Sequence, residues 1–118
     1  MEPGTILAVA AVVAVFFILS RKGRRSPAEV ATMRAAVAQD GVLVDVRSPA
    51  EFASGHVDGS LNIPLGDLPA RQGELGAPSR PVVVCCASGT RSALARRLLA
   101  QKGFSSVMDL GRWHNWTV

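Results

Sequence analysis

The residues best suited to chemistry lie in one stretch, Cys85-Cys86-Ala87-Ser88-Gly89-Thr90-Arg91-Ser92. A cysteine thiolate is a strong nucleophile. The small Ala, Ser, Gly and Thr residues after it let the backbone curl with its amides inward, forming an anion nest. Before the stretch runs the β-branched segment Pro81-Val82-Val83-Val84-Cys85, and a helical pattern starts at Ser92. The cysteines therefore sit at the carboxyl end of a strand, where ligands bind in open α/β sheets. They also precede a helix N-terminus, with its unpaired N–H groups and partial positive charge. A thiol there is expected to favour its thiolate, helped by Arg91. Cysteines alone read equally well as small hydrophobes closing a strand. Gly89, Arg91 and the strand–loop–helix setting turn the reading towards a nucleophile facing an anion pocket.

The surrounding pattern supplies the elements that must hold this loop. Ser26-Pro27-Ala28-Glu29 predicts a capped helix start, with Val30, Met33, Val37 and Ala38 at helical spacing until Asp40-Gly41. Val42–Val46 reads as a buried strand. The capping tetrapeptide returns as Ser48-Pro49-Ala50-Glu51 and starts a helix of about one turn, ended by Gly55. Leu61–Ile63 is a very short strand, and residues 66–79 form a loop with one short helix over Leu68–Leu75. Val82–Cys85 is the most apolar strand. Ser92–Lys102 predicts a helix with Leu94, Ala95, Leu98 and Leu99 inward, closed by Gly103, and Ser106–Leu110 is the last strand. Strands apolar on both faces, alternating with helices, indicate an α/β domain: a small parallel sheet flanked by helices.

Composition limits the function classes. The 118 residues allow one domain, 48% are hydrophobic, and the net charge is +4. Both excesses are localised. Residues 1–25 hold Glu2 against Arg21, Lys22, Arg24 and Arg25, which leaves nine basic and eight acidic side chains in residues 26–118. With a near-neutral body, the positive net charge is no evidence for nucleic-acid binding. Ile6–Leu19 contains only Ile, Leu, Ala, Val and Phe. With its uncharged flanks it would make a helix of ~27 Å, enough for a slightly thinned bilayer. A signal peptide would carry its positive charge first, and a core helix would show a polar face. The expectation is a transmembrane helix over residues 4–20 followed by a basic cytoplasmic flank, within an anchor of residues 1–25. Residues 26–118 form the domain, placed in the cytoplasm with the N-terminus outside. Adjacent Cys85 and Cys86 cannot staple distant segments and lack a second pair at metal-ligand spacing.

Three segments resemble one family. Val44-Asp45-Val46-Arg47-Ser48-Pro49-Ala50-Glu51-Phe52 and then Gly55-His56-Val57-Asp58-Gly59-Ser60-Leu61-Asn62-Ile63-Pro64 resemble the first signature of rhodanese-like domains. Cys86 to Ser92 resembles the family's active-site loop. Leu98–Phe104 and Val107–Gly111, ending in Trp116, are similar to its closing segment. The resemblance covers residues 26–118 and implies sulfur transfer through a persulfide on the loop cysteine. Cys85 to Arg91 spells C-x5-R, the spacing of cysteine phosphatases, whereas Cys86 to Arg91 spells the shorter C-x4-R of rhodaneses. Both families place a glycine three residues after the nucleophile; Gly89 meets that rule for Cys86, and Val84 stands where a phosphatase wants histidine.

The resemblance thus implies a Cys86 nucleophile, with Ala87, Ser88, Gly89, Thr90, Arg91 and Ser92 holding the persulfide and Arg91 drawing the donor. Its partners are a small anionic sulfur donor such as thiosulfate and a thiol, protein or cyanide acceptor; no cofactor, metal or nucleic acid is called for. Asp45 is expected at a strand end near the loop, and Arg47 in an ion pair with Glu51. His56 reads as a turn histidine bonded to backbone, and Trp113 and Trp116 as a cover for the sheet end. Two alternatives stand beside this: a membrane-tethered persulfide relay or docking module with a protein acceptor, and a phosphatase acting from Cys85. The sequence departs from the family at Arg24-Arg25-Ser26, where a short strand is usual, and at Gly111-Arg112, where two glycines are frequent.

Overall fold

The computed structural model describes residues 2–6, 8–12 and 23–117. Two matching caps start the first two helices of residues 26–117. In α1 (Pro27–Gln39) Ser26 Oγ accepts from the Glu29 amide at 3.2 Å, and the Glu29 carboxylate accepts from the Ser26 amide at 2.9 Å. Ser48 and Glu51 repeat the exchange at 3.2 and 3.1 Å to start α2 (Pro49–Ala53). Such caps contribute about 1 kcal/mol each by satisfying N–H groups that a helix start leaves open.

The strands are β1 (Val42–Asp45), β2 (Leu61–Asn62), β3 (Val82–Cys86) and β4 (Val107–Arg112). They pair in the order β2-β1-β3-β4, all parallel. Between β2 and β3 the expected short helix is α3 (Leu68–Arg71), flanked by 3-10 turns at Leu65–Asp67 and Gln72–Leu75. After β3 comes α4 (Thr90–Gln101), and β4 runs into a 3-10 turn at Trp113–Thr117.

Alternation along β3 sends its side chains to two cores. Val82, Val84 and Cys86 pack with Val44, Ile63, Leu68, Ala95 and Leu99 on one face. Val83 and Cys85 pack on the other face with Val30 and Met33 of α1, Leu110, and partly buried Trp113 and Trp116. Each fully buried Val or Leu contributes roughly 1.5–3 kcal/mol. The two tryptophans cover that face of the sheet as expected. Leu94 does not turn inward: Ser92, Ala95 and Leu99 form the buried stripe of α4, and Leu94, about 100° round the helix from Ala95, is exposed.

Two expectations about the N-terminal part change. The membrane span over residues 4–20, and with it the single-pass location, is overturned: among the described residues no helix is long and apolar enough to cross a membrane. Residues 3–6 and 8–12 are helical, a length well short of the ~20 residues a bilayer needs. Residue 7 and residues 13–20 of the expected span lie outside the described residues. Residues 23–25, in place of a first strand, form a strap across the end of β4. The Gly23 carbonyl accepts from the Arg112 amide at 3.3 Å and from Asn115 Nδ2 at 2.7 Å. Arg25 Nε donates to the Asp109 carbonyl at 2.7 Å, and its guanidinium pairs with the Asp109 carboxylate at 3.3 Å.

Candidate active site

The candidate site is the junction of β3 and α4. Cys86 is the last residue of β3, and α4 begins at Thr90, so the turn between them is shorter than the six residues expected. Gly89 caps the helix with φ +106°, a left-handed backbone that a side chain would strain. That conformation swings the Gly89 amide back to donate to Cys86 Sγ at 3.0 Å. The Ser92 amide, in the first turn of α4, donates to the same sulfur at 3.3 Å. The thiol in turn faces Ser92 Oγ at 3.5 Å, and that hydroxyl donates to the Gly89 carbonyl at 3.2 Å. Two N–H donors and the positive end of a helix thus converge on one sulfur atom, an arrangement suited to anionic sulfur.

Cys86 is fully buried, while Ala87, Ser88 and Thr90 beside it are exposed. The sulfur is the floor of the turn, and small side chains form its rim. Cys85 lies on the opposite face of the sheet among Val30, Met33 and Val83. Burial there pushes its thiol well up, and the neighbouring Asp45 charge adds to the shift. That environment keeps Cys85 neutral and inert, and removes the geometric basis for a phosphatase acting from it.

The charged residues pair differently from the expectation. Arg91 does not stand free over the pocket; its Nη1 and Nη2 bond Glu51 Oε1 and Oε2 at 2.7 and 2.9 Å. The guanidinium, and next the Ser48 amide of the α2 cap, lower the Glu51 carboxyl to about 2. Glu51 is committed to Arg91, so Arg47 pairs elsewhere. Its Nε and Nη2 bond the Asp45 carboxylate at 3.0 and 2.7 Å, both residues being buried. The same guanidinium donates to the carbonyls of Glu51 at 3.2 Å and Gly55 at 2.7 Å, and lies over the Trp113 ring at 4.8 Å. Asp45 ends β1 in register with Cys85, near the loop as expected. Asn62 braces this corner by donating to the Asp45 and Arg47 carbonyls at 3.0 and 2.9 Å. Neither the Glu51–Arg91 bridge nor the Asn62 brace follows from the sequence: Glu51 is expected at its cap and beside Arg47, and Asn62 lies within the first signature with no role of its own. His56 Nδ1 bonds the Phe52 carbonyl at 2.8 Å and its ring stacks on Phe52, a role confined to the turn.

A buried sulfur under two amides on a parallel α/β sheet narrows the comparison with known proteins. The sequence model of the Rhodanese-like domain matches residues 26–117. This chain belongs to the rhodanese-like family. Among its relatives is a sulfurtransferase of Allochromatium vinosum, 39% identical over 82 residues that make up 70% of this chain and 76% of that protein. Another is the thiosulfate sulfurtransferase GlpE of Stutzerimonas stutzeri, 35% identical over 79% of this chain and 83% of the relative. The human single-domain sulfurtransferase TSTD1 superposes with a TM-score of 0.61 at 27% identity, covering 80% of this chain and 95% of that one. These relatives put this rhodanese-like domain in the rhodanese-type sulfurtransferase family.

Proposed function

We propose that the protein transfers sulfane sulfur from an anionic donor such as thiosulfate to a thiol or cyanide through a persulfide on Cys86. The observation that carries this reading is the convergence of the Gly89 and Ser92 amides on Cys86 Sγ, at 3.0 and 3.3 Å. In the first step the Cys86 thiolate attacks the outer sulfur of thiosulfate. A sulfur–sulfur bond forms on Cys86, the donor's own sulfur–sulfur bond breaks, and sulfite leaves with the electron pair. The enzyme is left as a persulfide anion beneath the amides of residues 87–92. In the second step cyanide or a thiolate attacks the outer persulfide sulfur and the Cys86 thiolate is expelled, so the kinetics are ping-pong.

The reading is tested by thiosulfate:cyanide transfer with Cys86→Ser and Cys85→Ser chains. Activity disappears in the first and persists in the second; activity that survives loss of Cys86 sinks the assignment. A second reading, delivery of the sulfur to a protein thiol, is favoured by the exposed rim of Ala87, Ser88 and Thr90 around the Cys86 sulfur, a surface on which an acceptor protein can dock. It predicts a long-lived adduct of one sulfur atom by intact mass together with slow turnover on cyanide. Rapid discharge by cyanide counts against it.

A further inference from the structure

Three of the guanidinium groups around the sheet's carboxyl end are already neutralised. Arg91 is bound by Glu51, Arg47 by Asp45, and Arg25 by Asp109. An anionic donor approaching Cys86 therefore meets little net positive charge from them. Arg112 is different. It is the last residue of β4 and the register partner of Cys86, and among the described residues it has no ion-pair partner. Its side chain is half-buried rather than loose in solvent.

Gly23 shows where that side chain runs. A Cβ built on Gly23 would lie 2.9 Å from Arg112 Cγ and 2.8 Å from Nε, and 2.3 Å from the Ser88 carbonyl oxygen. The arginine stem and the exposed rim of the Cys86 loop thus meet over one buried glycine of the strap. The hydrogen bond from the Arg112 amide to the Gly23 carbonyl, at 3.3 Å, holds the two segments together.

We propose that Arg112 is the residue that selects oxyanion-bearing sulfur donors, thiosulfate and organic thiosulfonates, over uncharged ones. This rests on the reading of Cys86 as the sulfur-accepting residue. A guanidinium with no carboxylate partner among the described residues, beside the rim of the Cys86 loop, raises the local concentration of a dianion. Its planar fork also suits two oxygens of a sulfonate group, which an ammonium matches less well. Gly23 is the companion requirement: any side chain there pushes away either the Ser88 carbonyl or the Arg112 stem.

The test compares full-length wild type, Arg112→Gln and Arg112→Lys with thiosulfate and with an uncharged organic trisulfide, following by intact mass the one sulfur atom added from thiosulfate and, from the trisulfide, the mixed disulfide that forms on Cys86 as an alkyl persulfide anion leaves. Arg112→Gln lowers the preference for thiosulfate over the trisulfide roughly three- to tenfold, mainly through KM, and flattens the salt dependence of kcat/KM. Arg112→Lys restores part of the preference. In a Cys86→Ser background, which removes the reacting thiol, calorimetry shows thiosulfate binding weakened by the same factor on adding Arg112→Gln. An unchanged preference and salt slope, or equal losses with both donors, overturn the proposal. A wild-type chain that accepts sulfur from neither donor overturns the sulfur-transfer reading and this inference with it.

Discussion

Two amides reach the Cys86 sulfur, and the Gly89 amide does so only with φ at +106°. Alanine at that position is strained by about 1–3 kcal/mol. Gly89→Ala is therefore expected to lower the urea midpoint and slow persulfide formation together; a variant with wild-type loading removes the amide from the mechanism. The Asp45–Arg47 pair is more deeply set, with side chains 0% and 5% exposed. Asp45→Ala leaves a buried guanidinium without its counter-charge and is expected to cost about 3–5 kcal/mol of unfolding free energy. A loss under about 1 kcal/mol, the range of surface pairs, refutes that view of the pair.

Glu51 links residue to element. Its folded value of about 2 lies below the ordinary 4.5, so the bridge to Arg91 contributes fully above that ordinary value and is lost as pH falls towards 2. Both side chains are more than a third exposed, so the effect on global stability is small. The carboxyl resonance of Glu51 in an NMR titration should have its midpoint well below 4; a midpoint near 4.5 means that the bridge does not persist in solution.

At the scale of elements, the short helix α2 connects the β1 corner to the loop. Glu51 Oε1 accepts from the Ser48 amide and from Arg91 Nη1, so one carboxylate caps α2 and holds the first turn of α4. Ser48→Ala should cost about 1 kcal/mol and raise the Glu51 midpoint, because the cap contributes to its acid shift. Unfolding in urea and the same NMR titration check both halves. The strap of residues 23–25 is the other positioning element. A methyl at residue 23 would come within 2.3 Å of the Ser88 carbonyl, so Gly23→Ala is expected to impair thiosulfate turnover several-fold more than the remote Gly73→Ala, whose Cβ would have no neighbour within 4 Å. Equal activity of the two variants removes the strap from the loop's support.

Across the molecule, local information was legible where local physics decides. The two Ser-Pro-Ala-Glu caps, the valine-rich strands and the Cys-Ala-Ser-Gly loop each depend on hydrogen bonds or backbone preferences within a few residues. They appear where their residues predict, within one or two positions at most ends. Parallel pairing also followed, since β1 and β3 are apolar on both faces. In the sequence the offset of Gly89 favours Cys86 over Cys85, and alternation along β3 puts the two thiols on opposite faces, with the Gly89 and Ser92 amides on the sulfur of Cys86.

What the sequence could not decide is what depends on distance through space. Arg47, Arg91 and Arg112 look alike along the chain, but packing gives the first two a carboxylate each and, among the described residues, leaves the third without one. Glu51 chose Arg91 over Arg47 because α2 carries it to the first turn of α4, forty residues away. Leu94 has the apolarity of a core residue but stands outside the Ser92–Ala95–Leu99 stripe that meets the sheet. The long apolar run satisfied the composition of a membrane span, yet the described helical segments are too short to cross one. Sequence by itself determined which residues can cap, bend or react, because those properties are local; only the tertiary structure decided which charges cancel, because cancellation requires two side chains from different elements to occupy one place.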